Sequence, residues 1–429
     1  MTVALALATA TSAMGARGME IAVQDDPAIF GGLYSTPQIG LGLAERLHAT
    51  RVRVNVGWSY VVGKAANKKK QPKKVKYNWS GYDLLIGNAG LYGMKIQLAL
   101  TGPAPAYATS DHKIGPMAPN ARKFKAFATA AAKHFKKRGI DRYSIWNEPN
   151  HRGWIAPIKK NAKIYRGLYA TGYSAIKRVD RKAKVFIGET SPFGLKKGRN
   201  ATPPLKFLRG VTCANKRYRR ARKCGTLRTD GYAHHPYDFT HKPSYKYPGK
   251  DNVTIGVLPR LTTALAKLKN ARLLTTPSGG VPFVYLTEYG YLRTGKRRMA
   301  ESKRGKYLVQ AFEIAQRNPR VKQMLHFLMV QPTRGLAFFD TSLATRAGKP
   351  FPAFKKLEAW SSRVASAGVI ATTSRPGGGP PSGGGGNPGG PPEPGGGGSN
   401  EPPPPPPGGQ QPPPQCTLGP TGIPICPHR

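Results

Sequence analysis

The chain has 429 residues, with 68 Lys and Arg against 20 Asp and Glu, and its formal net charge is +48. This length accommodates one large domain or two ordinary ones. The basic residues are scattered and come with no helix-turn-helix, zinc-finger or RNA-recognition signature, so we expect no nucleic-acid partner despite the charge.

Residues 1–17 form an apolar, Ala-rich run that ends in small residues. The run is too short to span a membrane and is typical of the hydrophobic and cleavage segments of a secretory signal. The basic residues that normally precede such a run are missing, which suggests an incomplete signal; a buried N-terminal strand is the alternative. No other run reaches about 18 apolar residues, so we expect a secreted protein without a transmembrane helix.

Residues 18–371 alternate short, β-rich apolar runs with longer amphipathic runs, which is the pattern of repeated βα units. The predicted strands are 19–25, 51–58, 94–102, 143–150, 183–190, 231–237, 282–290 and 322–332. The predicted helices between and after them include 121–139, 161–179, 304–318 and 349–366.

Eight such units with near-continuous apolar strands favour a closed (β/α)8 TIM barrel over an open doubly wound sheet. In the helix predicted at 121–139, one buried face is formed by Phe124, Phe127, Ala128, Ala131 and Phe135. The residues after the first strand do not form a Gly-rich nucleotide fingerprint. We therefore expect no dinucleotide and no other cofactor.

The four cysteines fall in two close pairs, Cys213 with Cys224 and Cys416 with Cys426. Even number and close pairing predict two short-loop disulfides in an oxidising compartment. A metal site would need closer cysteine spacing and nearby histidines, and free buried thiols do not suit such polar surroundings. Residues 372–415, almost wholly Gly, Pro, Ser, Gln and Asn, predict a disordered linker, followed by a short tail closed by cysteines at 416–429.

The net positive charge favours contact with polyanions. For an exported protein we expect an anionic cell-wall polymer or an acidic glycan as that partner, and a monomeric chain. A solvated basic surface without a specific partner is the alternative.

Polar and aromatic residues recur at the carboxyl ends of the predicted strands, where a β/α barrel builds its site. They are Arg53, Asn55 and Trp58 at the second strand, Trp146, Asn147, Glu148 and Asn150 at the fourth, His234, His235 and Tyr237 at the sixth, Thr287, Glu288 and Tyr289 at the seventh, and Gln331 at the eighth. Glu148 and Glu288 would face each other across the barrel mouth. Glycoside hydrolysis needs such a pair, one protonated acid and one ionised nucleophile.

The motifs WNEPN at 146–150, HHPY at 234–237 and TEYG at 287–290 resemble the clan A retaining (β/α)8 glycoside hydrolases. That clan includes the cellulase-like family five and the xylosidase-like family thirty-nine, and the similarity extends over residues 20–360. The resemblance implies that Glu148 is the general acid/base and Glu288 the nucleophile. It further implies Asn147 at the sugar 2-hydroxyl, Arg53 and Tyr237 beside the nucleophile, and His235 in the same subsite.

Other candidates have open alternatives. Trp58 and Trp154 are candidate stacking platforms for a sugar ring, but Trp58 suits the core equally well. Trp146, Tyr289 and Gln331 are further candidate substrate contacts. Adjacent strand residues point to opposite faces, so only one of His234 and His235 is expected at the mouth. Glu189, at the end of the fifth strand, is expected to form a salt bridge rather than to touch the site.

The chain also departs from the family pattern. Gln331 stands near the end of the eighth strand, where a tryptophan is common, and the third strand lacks the histidine of some members. Both changes affect sugar subsites, so the sugar remains open. A retaining enzyme without a metal would hold its two carboxyl groups about 5–5.5 Å apart. The alternative is an inactive, wall-associated glycan-binding barrel.

Overall fold

The fold is a closed barrel of parallel strands surrounded by helices. The structure is a computed structural model that describes residues 17–30, 35–195, 198–333 and 339–375, and the backbone of 417–418 and 424–425. Its strands are β1 (Glu20–Gln24), β2 (Arg51–Gly57), β3 (Lys95–Thr101), β4 (Arg142–Ile145), β5 (Lys184–Thr190), β6 (Leu227–Arg228), β7 (Gly231–His234), β8 (Leu274–Thr275), β9 (Val284–Leu286), β10 (Val321–Phe327), β11 (Thr417–Leu418) and β12 (Pro424–Ile425).

The barrel contains β1, β2, β3, β4, β5, β7, β9 and β10 in that order, and β10 pairs with β1 to close it. All of these pairings are parallel. The predicted (β/α)8 barrel is therefore confirmed. The short strands β6 and β8, which the sequence did not indicate, form a separate parallel pair outside it.

Helices follow the barrel strands, as the amphipathic runs predict. They are α1 (Pro37–Arg46), α2 (Trp58–Val61), α3 (Ser80–Leu91), α4 (Ala121–Lys136), α5 (Asn161–Val179), α6 (Pro204–Thr212), α7 (Pro259–Asn270), α8 (Glu301–Arg317) and α9 (Pro352–Ser366). No helix in the described part of the chain is long and apolar enough to cross a membrane.

Helix α4 shows why these boundaries fall where they do. The side chain of Asn120 caps the helix by accepting bonds from the backbone N–H groups of Arg122 and Lys123. The five apolar residues predicted to form its inner face are all buried. The helix ends at Lys136, three residues before the predicted end, because Gly139 adopts a left-handed conformation with φ of 75°.

Several strands end earlier than predicted, which places the candidate site residues in loops. The fourth strand stops at Ile145 and not at residue 150, because Trp146 and Glu148 have left-handed φ values of 70° and 35°. The eighth stops at Phe327, before Leu328 with φ of 42°. The sixth and seventh strands also end earlier than predicted, at His234 and Leu286.

Charged side chains fill the amino-terminal end of the barrel interior. Arg142 donates to Gln323 Oε1 at 2.7 Å and to Glu20 Oε1 at 3.2 Å, and Arg51 lies 3.5 Å from the same Glu20 oxygen. Burial alone would raise the pKa of Glu20, but the two arginines outweigh burial and lower it. In β2, Arg51 and Arg53 face the barrel interior and alternate with the buried Val52 and Val54. The strand is therefore less apolar than the near-continuous apolar strands that the sequence predicts.

The predicted disulfide between Cys213 and Cys224 is present, with Cα atoms 6.3 Å apart, and it closes the basic loop after α6. Residues 417 and 425 pair in antiparallel fashion through β11 and β12. Cys416 and Cys426 themselves lie outside the described residues. So do most of the predicted signal, at 1–16, and most of the predicted linker, from residue 376 onward.

Replacing Arg142 with Ala should destabilise the barrel, because Glu20 would stay largely buried without its main cation. We expect the free energy of unfolding to fall by about 3 kcal/mol. Urea denaturation at pH 7 measures this loss. The control is Lys133→Ala on the exposed face of α4, which should change stability by no more than about 0.5 kcal/mol. Equal losses in the two variants would contradict the role of the buried network.

Candidate active site

Arg53 on β2 is fully buried at the barrel mouth and contacts residues from several other strand ends. Its guanidinium donates to Glu288 Oε1 at 3.0 Å, to Asn147 Oδ1 at 2.7 Å and to Glu189 Oε2 at 3.1 Å. It also donates to Gln24 at the end of β1. Burial alone would lower the pKa of Arg53, but the negative charges of Glu189 and Glu288 outweigh burial and raise it. The guanidinium therefore stays protonated.

Glu288 follows β9 and is held from three sides. Besides the Arg53 contact, its Oε2 accepts a hydrogen bond from the Tyr237 hydroxyl at 3.3 Å and lies 3.4 Å from His235 Nδ1. Its side chain is 11% exposed, so little of the carboxylate is left for water. The arrangement fixes the direction in which Glu288 faces the mouth.

Glu148 follows β4 and is the more accessible carboxylate of the pair, with a side chain 21% exposed. Its Oε1 lies 3.2 Å from His235 Nδ1. One carboxylate oxygen of Glu148, one of Glu288 and a ring nitrogen of His235 all lie within 4.8 Å of one another. These two carboxylate oxygens are therefore no more than 4.8 Å apart, which is less than the roughly 6.5–9.5 Å between the carboxyl groups of inverting glycosidases.

Glu189 belongs to the same cluster, although the sequence favoured a salt bridge away from the site. Its Oε2 lies 2.7 Å from His235 Nε2 and accepts from the Thr287 hydroxyl at 2.7 Å, in addition to the Arg53 contact. Burial alone would raise the pKa of Glu189, but Arg53 and His235 lower it to about 2. The salt bridge exists, and it supports the site directly.

His235 therefore touches three carboxylates, two through Nδ1 and one through Nε2. Burial alone would lower the pKa of His235, but Glu288, Glu148 and Glu189 together raise it to about 9. A protonated imidazole donates from both nitrogens, which matches these contacts. At neutral pH the site holds two cations, Arg53 and His235.

His234 points the other way, as strand alternation predicts. Its Nε2 lies 2.8 Å from the Val253 carbonyl oxygen, and its Nδ1 lies 2.8 Å from the Thr190 hydroxyl. Burial lowers its pKa to about 4. His234 is thus a neutral packing residue beside a charged neighbour.

The two central carboxyls titrate as a pair. Burial raises the pKa of Glu288, although His235 and Arg53 oppose this effect. Burial would also raise the pKa of Glu148, but its hydrogen bond with His235 lowers it. The shared proton thus favours Glu288, which is the reverse of the order that a double displacement starting from protonated Glu148 requires.

The atoms of Glu148, His235 and Glu288 have the spacing of a possible metal site. A metal ligand must be a neutral imidazole with a free lone pair. Both nitrogens of His235 face carboxylates, and its raised pKa keeps the ring protonated at neutral pH. The chemistry of this set therefore suits proton transfer and not metal binding.

The aromatic candidates are less accessible than predicted. Trp58 is buried in the core against Phe124 and Phe127, so the core alternative is correct and it is not a stacking platform. Trp146 is also fully buried, and its Nε1 donates to the backbone oxygen of Trp154 at 3.0 Å.

The remaining candidates, Tyr289, Trp154 and Gln331, differ in their exposure. Tyr289 is fully buried beside Tyr237, with ring centroids 6.0 Å apart, so it supports that residue and is not itself open to a ligand. Trp154 is 7% exposed. Gln331 is half-buried, and its backbone N–H bonds to the Ala344 carbonyl oxygen.

Gln24, the last residue of β1, and Asp26, two residues further on, complete the site and were not among the candidates. Gln24 contacts Arg53 and donates to Asp26 Oδ2 at 3.2 Å, and Asn55 donates to the same oxygen at 3.0 Å. Burial raises the pKa of Asp26 to about 7. The polar run QDD at the end of the first strand was the signal that could have revealed them.

No family model and no curated protein matches the chain. Solved structures do. A family 39 glycoside hydrolase from Bacteroides cellulosilyticus is 18% identical at a TM-score of 0.57, over 81% of this chain and 64% of its own. A β-xylosidase from Caulobacter crescentus is 15% identical at 0.53, over 80% and 69%. An exo-β-1,4-mannosidase from an Opitutaceae bacterium is 15% identical at 0.52, over 84% and 63%.

These similarities concern the fold. They confirm that the barrel has the architecture of family 39 glycoside hydrolases, which the sequence motifs resemble. The chain spans less than two thirds of the length of the Bacteroides enzyme.

The two adjacent histidines should titrate far apart. We expect His235 to remain protonated up to about pH 9 and His234 to remain neutral down to about pH 4, which NMR of 15N-labelled imidazoles can measure. The pKa of His235 is raised above the unfolded value of about 6.5, so its stabilisation is complete below that pH and is lost as the pH rises through about 9. Titration of His235 below neutral pH would contradict the three-carboxylate cluster.

Proposed function

We propose that the protein is a secreted retaining glycoside hydrolase that cleaves O-glycosidic bonds of a poly- or oligosaccharide. The observation that carries the proposal is the pair Glu148 and Glu288, with oxygens within 4.8 Å at the mouth of the barrel. The fold shared with family 39 enzymes supports the same class. No cofactor is needed for this chemistry.

In the first step an oxygen of Glu288 attacks the anomeric carbon while the glycosidic bond breaks. The leaving oxygen takes a proton from Glu148, and a glycosyl ester forms on Glu288. In the second step Glu148 accepts a proton from water, the resulting hydroxide replaces the ester oxygen, and the sugar leaves with its original anomeric configuration.

His235 can relay to Glu148 the proton that the first step needs. The shared proton otherwise favours Glu288, and Nδ1 of His235 lies 3.2 Å from Glu148 and 3.4 Å from Glu288. His235 Nδ1 can therefore give its proton to Glu148 and take the proton of Glu288, so that the imidazole is protonated again after the transfer. Glu288 is then ionised, supported by Arg53 and Tyr237.

Asn147 is oriented to bind the substrate. Arg53 donates to its amide oxygen at 2.7 Å, which fixes the oxygen toward the protein. The amide nitrogen is then the group that donates to a sugar hydroxyl near the nucleophile. This matches the role at the 2-hydroxyl that the family resemblance implies.

Enzymes named for different sugars share this fold. The similar solved structures include a xylosidase, a mannosidase and a glucosidase from Croceicoccus marinus, so their shared fold does not select one ring. Secretion is supported by the apolar first segment and by the Cys213–Cys224 disulfide, which suits an oxidising compartment.

Replacing either carboxylate should abolish turnover. For Glu148→Gln and Glu288→Ala we expect kcat to fall at least about a thousandfold on a reactive aryl glycoside panel. The control is Glu313→Gln on α8, where Glu313 pairs with the exposed Arg317 and Arg363, and this variant should keep full activity. Products from the intact enzyme should retain their anomeric configuration by NMR. Equal turnover in all variants would end the enzyme proposal and favour the inactive glycan-binding barrel.

The proton path through His235 predicts a dependence on the leaving group. His235→Gln should slow hydrolysis of glycosides with alkyl or sugar leaving groups strongly, because these need a proton. It should slow dinitrophenyl glycosides much less, because they leave as stable anions. The ratio of kcat/KM for the two substrates measures this split. A uniform loss would show that His235 acts only in binding or folding.

A further inference from the structure

A basic groove lies on the outer wall of the barrel between α6 and α7, with a volume of about 540 Å³. Helix α6 contributes Arg209, and the loop closed by the Cys213–Cys224 disulfide contributes Lys216 and Tyr218. Residues 260, 263, 264 and 267 of α7 complete it, and their i, i+3, i+4, i+7 spacing places them on one helix face.

Most of the charged residues that line the groove are cations. The charged side chains that line it are Arg209, Lys216, Lys250, Arg260 and Lys267, against a single carboxylate, that of Asp251. Asp251 is already neutralised, because both of its oxygens accept from Arg209 at 2.7 Å. Lys216 and Lys250 are exposed and form no ion pair within the described residues.

Several parts of the groove are held in place before any ligand arrives. The disulfide closes the loop that carries Lys216, and the loop is further paired through Ala214 and Arg220. Arg260 Nη1 donates to the carbonyl oxygens of Tyr247, Gly249 and Asn252. The backbone that carries Lys216 and the side chain of Arg260 therefore need little further ordering when an anion binds.

Further positive charges lie close together at the loop closed by the Cys213–Cys224 disulfide. Arg166 lies beneath the disulfide loop and donates to the backbone oxygens of Val211 and Gly225. Burial lowers the pKa of Arg166, and the positive charges of Arg222 and Arg220 lower it further. These arginines do not line the groove, but Arg220 and Arg222 belong to the same disulfide-closed loop as Lys216 and add to its positive charge.

The aromatic content of the groove argues against nucleic acid. Tyr218 is the one aromatic side chain among the described residues that line it. The Arg209 guanidinium lies 5.4 Å and the Lys267 ammonium 5.9 Å from its ring centroid, and Arg209 also donates to its hydroxyl. The ring is thus engaged by the protein, whereas single-stranded nucleic acid binders use open aromatic rings to stack bases.

We propose that this groove binds a carboxylate-bearing polysaccharide and holds that polymer on the side of the barrel. The proposal rests on the proposed function in one respect, that the polymer belongs to the class of molecule cleaved at the barrel mouth. Carboxylates on successive sugars would pair with Lys216, Lys250 and Lys267 by charge-assisted hydrogen bonds. The groove is then a docking site separate from the catalytic pair.

The test compares two double variants of the full chain, both made in a Glu288→Gln background so that the polymer is not cleaved. The first, Lys216→Gln with Lys250→Gln, removes two groove cations. The control, Lys133→Gln with Lys355→Gln, removes two exposed cations elsewhere on the surface. Binding of polygalacturonate is measured by calorimetry over a range of salt concentrations, with its methyl ester as the neutral polymer.

We expect the groove variant to weaken binding of polygalacturonate about tenfold at low salt, and the control variant to change it less than about twofold. The slope of log Kd against log salt should be less steep in the groove variant, because two charge contacts are lost. The methyl ester should not bind. Equal weakening in both double variants, or binding of the methyl ester as tight as that of the acid, would overturn the proposal.

Two further results separate this proposal from others. A single-stranded oligonucleotide that binds more tightly than the polyuronate, with a loss confined to the groove variant, would overturn the glycan assignment. Binding is independent of turnover in this background. If the groove does not bind the polymer, the groove variant and the control variant will bind it equally well. If the groove binds the polymer but the protein is not a hydrolase, the difference between the two variants will persist and the parent enzyme will release no sugar.

Discussion

The site depends on one buried cation, the Arg53 guanidinium. A buried charge is tolerated only when it is paired and hydrogen-bonded. Arg53 meets that condition by contacting Glu189 and Glu288, and it also contacts Asn147 and Gln24. Its partners come from β5 and from the ends of β1, β4 and β9, so a single side chain on β2 holds together groups that are far apart in sequence. Removing it would leave two carboxylates without their shared cation.

The same constraint explains the unusual protonation of the mouth. Glu148, Glu189 and Glu288 outnumber Arg53, and His235 is kept protonated between them, with a pKa raised to about 9. His235 contacts both Glu148 and Glu288 through one nitrogen, so it can move a proton between the partners of a double displacement. The cluster thus links the stability of the barrel mouth to the supply of the proton that the proposed reaction uses.

The sequence was sufficient for the features that local patterns encode. The eight βα units follow from periodicity, and Glu148 and Glu288 follow from motifs at strand ends. Glu189 could not be placed, because a register shift between Gly188 and Thr190 and a left-handed φ of 49° turn it into the site against strict alternation. Trp58 was ambiguous because only its packing against α4 decides between core and mouth. The α6–α7 groove forms only when the fold brings separate segments together, so no local sequence motif predicts it.

The central claim is that Glu288 forms a covalent bond to the sugar, and trapping that bond tests it most directly. The intact enzyme is incubated with 2-deoxy-2-fluoroglycosyl fluorides of each sugar that it hydrolyses, and labelled peptides are then mapped by mass spectrometry. The account predicts one fluoroglycosyl group per chain, attached to Glu288. A label on Glu148 or elsewhere, or no label with a sugar that the enzyme turns over, would contradict it.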